Sequence, residues 1–215
     1  ARYVRILMTE KALPDYGYSL FEFQVYGTNG VVERPVDYGV NLALNKPVKS
    51  RSNTVKSGDT TKEVNTRDEW WMYDEDGNLR PDAYNNVKPE NAVDGNTKSS
   101  FTSYQGDDQW IYVDLKKEYT IGRVVVNFNS DAAKMYDIQV SKDGGNWTTL
   151  YRQLKGYGNE VANIELYANA RYVRMYGYTR VESGSGFSIK EMKVYKYKSG
   201  DRKVNHSIPN LPDSY

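Results

Sequence analysis

Two stretches of this chain are near copies of each other, and that constrains the fold more than any other feature. Residues 1–27 open Ala-Arg-Tyr-Val-Arg and close Gly17-Tyr18-Ser19-Leu20-Phe21-Glu22-Phe23-Gln24-Val25-Tyr26-Gly27. Residues 170–196 open with the same five residues and close Gly186-Phe187-Ser188-Ile189-Lys190-Glu191-Met192-Lys193-Val194-Tyr195-Lys196. Aligned without a gap, ten of the 27 positions are identical. A short-period repeat would imply a solenoid, but only a terminal hairpin is duplicated here. The arrangement predicts that residues 1–27 are the last strands of one domain, residues 28–40 a linker and residues 41–197 a complete second copy. Residues 198–215 then read as a linker or the start of a further module, and the chain as a piece of a longer protein.

Within the complete copy the signals are those of strands. Leu42 to Val48 has a strand-like start, and residues 51–91 form a long polar insertion carrying several aromatics. Loops of this length in compact domains usually serve a function or are disordered, and aromatics argue for function. From Trp110 onward, apolar residues alternate at Ile111, Val113 and Leu115, at Val124, Val126 and Phe128, and at Tyr136, Ile138 and Val140, as in half-buried strands. Asp143-Gly144-Gly145 predicts a hairpin turn, and two further strands are expected near 160–166 and 170–176. In the last strand the apolar phase slips from Phe187 and Ile189 to Met192 and Val194. A one-residue slip predicts a β-bulge near Lys190–Glu191, which would aim Glu191 out of the regular pleat. Helical periodicity is missing, so the expected class is all-β, an antiparallel sandwich. A net charge of +1 offers nothing to recruit nucleic acid. Cysteine is absent, which suits a bacterial secreted or surface protein, or a cytosolic one, better than a disulfide-bonded extracellular module.

The candidate chemistry begins at Ala92-Val93-Asp94-Gly95-Asn96-Thr97-Lys98-Ser99-Ser100-Phe101. It sets carboxylate, amide and hydroxyl oxygens around a glycine turn, as hard cations such as calcium require. A hydrogen-bonded turn without metal is the plainer reading of the same residues. Trp70, Trp71 and Tyr73 offer faces on which a sugar ring could stack, though one tryptophan of such a pair could instead pin the loop to the sandwich. Catalysis has little to draw on. The sole histidine, His206, lies in the tail, and no nucleophile elbow, phosphate-binding loop or zinc-protease pattern is present.

Taken together, Asn41-Leu42-Ala43-Leu44-Asn45-Lys46-Pro47, Ala92-Val93-Asp94-Gly95-Asn96, Asp108-Gln109-Trp110-Ile111-Tyr112-Val113-Asp114-Leu115, Tyr136 to Gly144, Trp147, Ala170 to Arg174 and Ser188-Ile189-Lys190-Glu191 resemble the discoidin family. It is also called the coagulation factor 5/8 type C domain and overlaps carbohydrate-binding module family 32. The resemblance runs through residues 41–197 and implies a jelly-roll-like antiparallel β-sandwich with a structural calcium ion and ligand loops at one end. Its calcium motif falls on Ala92, Asp94, Gly95, Ser99 and Phe101, with serine and phenylalanine in place of the family's threonine and tryptophan. The implied metal ligands are Asp94, Asn96, Ser99 and Glu191.

The family's sugar loops correspond here to residues 51–90, 129–134 and 177–186. They put forward Trp70, Trp71, Tyr73, Arg80, Asp82, Asn129, Tyr178 and Arg180 as ligand residues. The implied function is a non-catalytic carbohydrate-binding module of a secreted or surface-bound bacterial glycoside hydrolase, with polysaccharide and the other domains of the polypeptide as partners. Alternatives are an adhesion module for phospholipid or protein, or a bracing domain. Acidic residues beside Trp70 and Trp71 (Asp68, Glu69, Asp74, Glu75 and Asp76) disfavour an anionic membrane.

Overall fold

Alternation in Gln109–Leu115 does what it predicts. Ile111, Val113 and Leu115 are no more than 1% exposed, while Trp110 and Tyr112 between them face outward and are half-buried. This segment opens a strand far longer than its sequence pattern suggests. The computed structural model describes residues 37–51, 53–57, 60–64, 73–78, 80, 85, 87–104, 106–182, 184 and 186–213. The repeated segment 1–27 and the pair Trp70 and Trp71 lie outside the described residues. By internal contacts the chain divides into Ala1–Asp37 and Tyr38–Tyr215, and every described strand belongs to the second unit.

Nine strands are described: β1 (Val48–Ser50), β2 (Asn53–Ser57), β3 (Thr60–Val64), β4 (Phe101–Thr102), β5 (Gln109–Phe128), β6 (Ala133–Ser141), β7 (Thr148–Gln153), β8 (Val161–Arg180) and β9 (Ser188–Lys196). One 3₁₀ turn, Pro89–Val93, is the only named helical element among them. The main sheet runs β4-β9-β5-β8-β6-β7 with β1 on β5, every pairing antiparallel. β2 and β3 form a separate hairpin.

β5 and β8 let one hydrogen-bonded sheet serve as both layers. Their pairing is interrupted between Asp114 and Tyr119, where Lys116 adopts a positive φ of 72°. Before this break β5 lies between β1 and β8; after it, between β9 and β8. Ile121 keeps the phase of Leu115, and a second register shift, between Ile121 and Arg123, resets it, so that Val124, Val126 and Phe128 point inward; all four are 0% exposed. They meet Tyr136 and Ile138 of β6 and Val173 and Met175 of β8 in a single core.

Several sequence expectations need correction. Leu42–Asn45 is a turn, and of the expected stretch Leu42–Val48 only Val48 belongs to a strand, β1. Asn41 explains this: its side-chain oxygen accepts N–H groups from Ala43 and Val194 at 3.1 Å each, an Asx-type closure that competes with a ladder. The strands expected at 160–166 and 170–176 are one continuous strand. The insertion at 51–91 holds the β2–β3 hairpin and the 3₁₀ turn. Asp143 does turn the chain, but within a six-residue connection, 142–147, in which its Oδ1 accepts N–H groups of Gly145 and Asn146 at 2.8 Å each.

Residues 198–213 fold back on the sandwich, where Arg152 donates to the Pro209 carbonyl at 3.0 Å and His206 Nε2 lies 2.7 Å from the Glu165 carbonyl.

Candidate functional site

The sandwich tip gathers the loops that follow β4, β5, β7 and β8. Asn129 N–H donates to the Ser188 carbonyl (3.0 Å), Asn159 N–H to the Asn129 carbonyl (2.8 Å), Val181 N–H to the Ala132 carbonyl (3.0 Å) and Ser188 N–H to the Asp131 carbonyl (2.6 Å). On the other side of the tip, Asp108 N–H reaches the Tyr178 carbonyl at 3.4 Å, and Arg51 Nη1 donates to the Asp108 carbonyl at 2.7 Å. These backbone bonds fix irregular loops without a ladder, which is how a rigid scaffold presents variable side chains.

Of the candidate sugar residues, Asn129, Tyr178 and Arg180 meet at this tip. Arg180 Nε donates to Asp107 Oδ1 at 2.9 Å, an ion pair whose carboxylate is largely open to solvent. Tyr178 is differently employed. Its hydroxyl donates to Asp137 Oδ2 at 2.8 Å and receives Arg152 Nη2 at 3.3 Å. Burial, followed by that carboxylate, pushes the phenol up to about 12. Its ring packs 4.9 Å from Tyr176, with the Arg152 guanidinium 5.5 Å from its centroid. Tyr73 is half-buried and Arg80 exposed, flanking a turn in which Asp74 Oδ1 accepts N–H groups of Asp76 and Asn78 at 3.0 and 2.8 Å. Asp82, Trp70 and Trp71 lie outside the described residues. Sequence reasoning passed over Arg51 and Asp107, the carboxylate partner of Arg180, as residues of this tip. Their only signal was polarity in loops, which is too common to single them out.

The expected bulge is present. Asn127 pairs with Glu191 and Phe128 with Ile189, so Lys190 is the extra residue. Without it Ile189 and Glu191 would share a face; with it they point oppositely, Ile189 into the core and Glu191 outward beneath the Asp94–Ser99 loop. That loop is closed by its own side chains. Asp94 Oδ1 accepts the Asn96 N–H (2.8 Å), Asp94 Oδ2 the Ser99 hydroxyl (2.6 Å), and Asn96 Oδ1 the Lys98 N–H (3.1 Å). Gly95 has a φ of 78°, where a side chain would be strained and its Cβ would meet Leu44 at 3.0 Å.

Glu191 is 1% exposed, and among the described residues neither carboxylate oxygen has a partner at normal hydrogen-bond geometry. Burial pushes it up to about 7; Asp94 adds repulsion, while Lys193 and the Gly95 N–H oppose the rise. A buried carboxylate left without donors is costly unless a cation meets it. The donor chemistry here, two carboxylates, an amide, a hydroxyl and loop carbonyls, fits a hard cation. No cluster of three or more His, Cys, Asp or Glu occurs among the described residues, so neutral oxygens would have to complete such a site.

Residues 91–175 match the family described as F5/8 type C, NedA-like, galactose-binding domain. Among solved structures, chitosan-binding module 2 of a chitosanase/glucanase from Paenibacillus sp. IK-5, in complex with chitotriose, is 32% identical. The match covers 72% of this chain and 99% of that one, with a TM-score of 0.54. A valine-to-methionine mutant of module 1 of the same enzyme is 31% identical over 72% and 97%, with a TM-score of 0.53. The polysaccharide lyase 8 family protein HylA of Enterococcus faecalis is 27% identical over 130 residues, 57% of this chain and 9% of that protein. The chain thus spans about a tenth of the length of that relative. With the sandwich, the Lys190 bulge and these relatives in agreement, the chain belongs to the F5/8 type C domain family.

Proposed function

We propose that this chain is a non-catalytic carbohydrate-binding module that holds a secreted, multi-domain, polysaccharide-active enzyme, a glycoside hydrolase, against its substrate through the loops at the sandwich tip. The observation that carries the reading is the tip itself. Four loops are locked together there by backbone bonds, while Asn129, Arg180 and Asp107 stand at its surface. Fixed donors and acceptors beside tyrosine rings are the equipment of a sugar site. The relatives support the class: two are named as chitosan-binding modules of one enzyme, and a third as a polysaccharide lyase. A module of this kind needs only modest affinity, because tethering raises the effective concentration of the enzyme at its substrate.

A structural calcium ion is part of the same reading. Asp94 and Glu191 would supply its charge, Asn96, Ser99 and nearby carbonyls the neutral oxygens. Bound there, the ion would neutralise a buried carboxylate that lacks well-placed donors among the described residues and tie the Asp94–Ser99 loop to β9. Ser188, whose backbone holds both Asp131 and Asn129, lies three residues before Glu191, so this tie would also stiffen the tip.

The experiment is capture of the chain by insoluble polysaccharides and anionic liposomes, with Arg180→Ala, Asn129→Ala and Trp70→Ala beside the parent. Capture by a glycan that weakens about tenfold in a tip variant is expected, the loss of one charge-assisted contact. Capture by liposomes alone, or by glycan with equal strength in all variants, overturns the tip as a sugar site.

A further inference from the structure

Five arginines lie on the described strands, and four are held by carboxylates: Arg123 by Glu165, Arg152 by Asp137, Arg171 by Asp114 and Arg180 by Asp107. Arg174 is the exception. Its Nε donates to Gln139 Oε1 at 2.7 Å, and among the described residues its two Nη groups donate to nothing. The nearby carboxylate, Asp137, is fully buried and already receives Nε and Nη2 of Arg152 at 2.7 and 2.8 Å.

The register puts this unpaired cation at the middle of a sheet face. Lys49 pairs with Tyr112, Tyr112 with Arg174, and Arg174 with Gln139, so four strands contribute one row pointing away from the core. One row up, Trp110 stands opposite Tyr176. The rings are joined: Trp110 stacks on Tyr112 at 5.6 Å with 8° between planes, and Trp147 from the β6–β7 connection leans on Tyr112 at 5.5 Å. The Arg174 guanidinium lies 4.0 Å from the Trp147 ring and 5.4 Å from Tyr176. The side chains of Trp110, Tyr112, Trp147, Arg174 and Tyr176 are half-buried, neither sealed in the core nor free in solvent.

This is not how the outer face of a sandwich usually looks, since outward positions ordinarily carry scattered polar residues. Aromatic rings around a planar cation whose Nη groups donate to nothing among the described residues suit a ligand that is both ringed and anionic. A pyranose presents C–H groups to an aromatic face, and a carboxylate or sulfate on it accepts two parallel bonds from a guanidinium. Lys49, exposed at the end of the same row, adds a second positive charge.

We propose that this face of β1, β5, β8 and β6 is a second saccharide site, separate from the tip, that takes an acidic sugar. Arg174 receives the anionic group, and Trp147 with Trp110 and Tyr112 carries the ring. A hexuronate and a sulfated hexose share the chemistry that the site reads, and the test separates them.

The whole chain is titrated calorimetrically with galacturonate hexamers, their uncharged methyl esters, sulfated galactan oligomers and polyglutamate, each at low and high salt. Binding of one acidic oligosaccharide is expected, weaker at high salt and absent with the methyl ester. Arg174→Gln should weaken it about tenfold or more, and Arg174→Lys less, because charge is kept and the paired donors are lost. Thermal melting of both variants verifies folding, and neutral-glycan capture at the tip should be the same in both. Which acidic oligomer binds names the anion. The proposal fails if neither acidic oligomer binds, if the methyl ester binds as well as the acid, or if polyglutamate binds as tightly. It also fails if folded Arg174→Gln matches the parent.

Discussion

Asp137 and Glu191 are equally buried, at 0% and 1% exposure, and equally charged in principle, yet the fold treats them oppositely. Asp137 accepts a two-point contact from Arg152, the Tyr178 hydroxyl at 2.8 Å and the Thr149 hydroxyl at 2.9 Å. Glu191 has no partner at normal hydrogen-bond geometry among the described residues, and of backbone N–H groups only that of Gly95 lies near enough to favour its charge. The difference follows from strand position. Asp137 lies mid-sheet with β7 and β8 on either side, both able to send donors across the row. Glu191 follows a bulge, where the ladder is broken and the nearest neighbours are another carboxylate and a loop. One carboxylate is completed by the chain; the other is left for something from outside.

The largest expected effect comes from breaking the completed one. Arg152→Ala strands the Asp137 charge in a dry site and also frees the Pro209 carbonyl of the tail. Removing one partner of a buried ion pair costs about 3–5 kcal/mol; denaturant unfolding should read that loss as a lower midpoint with an unchanged slope. A loss under about 1 kcal/mol would mean that water reaches Asp137.

A smaller effect sharpens the other side. Without calcium, folded Glu191 keeps its proton up to about pH 7, whereas the unfolded chain releases it near the ordinary carboxylate value of about 4.3. The folded state therefore binds the extra proton between these values. Stability from this group is full below about pH 4.3 and is lost as pH rises through about 7, with a slope of up to about 1.4 kcal/mol per pH unit. Glu191→Gln should remove that slope in chelator-treated protein. An identical pH profile in parent and variant would assign the slope elsewhere.

Calcium is the mildest perturbation and the most direct. At a hundredfold excess over its dissociation constant, a ligand confined to the folded state stabilises it by about 2.7 kcal/mol. The melting temperature should rise with calcium, fall with chelator and respond to neither in Glu191→Gln. A parent protein indifferent to both would leave Glu191 buried for another reason.

Legibility in the sequence follows the range of the interaction. The inward faces of β5, β6 and β9 are readable from alternation alone, because period-two burial depends only on which side of a strand a residue occupies. The Lys190 bulge is readable for the same reason, since an extra residue must shift the phase from Ile189 to Met192. The Leu42–Asn45 turn is not. Its apolar spacing imitates a strand, and the deciding contact, Asn41 to Val194, spans 153 positions. Tyr178 shows the same limit at the site: it lies in β8, not in the loop expected from 177, and its hydroxyl is committed to Asp137, 41 positions away.

The chain's residues by themselves determined a β-sandwich, its bulge, its oxygen-rich loop and its family, because alternation, turn chemistry and motif spacing are local. Tertiary structure alone decided which charges are paired. It folded β5 and β8 through both layers, set Arg174 in a row with Tyr112 and Gln139, and left Glu191 without a well-placed donor among the described residues. Those outcomes depend on register between strands far apart in sequence, and a shift of one residue would have turned each side chain to the opposite face.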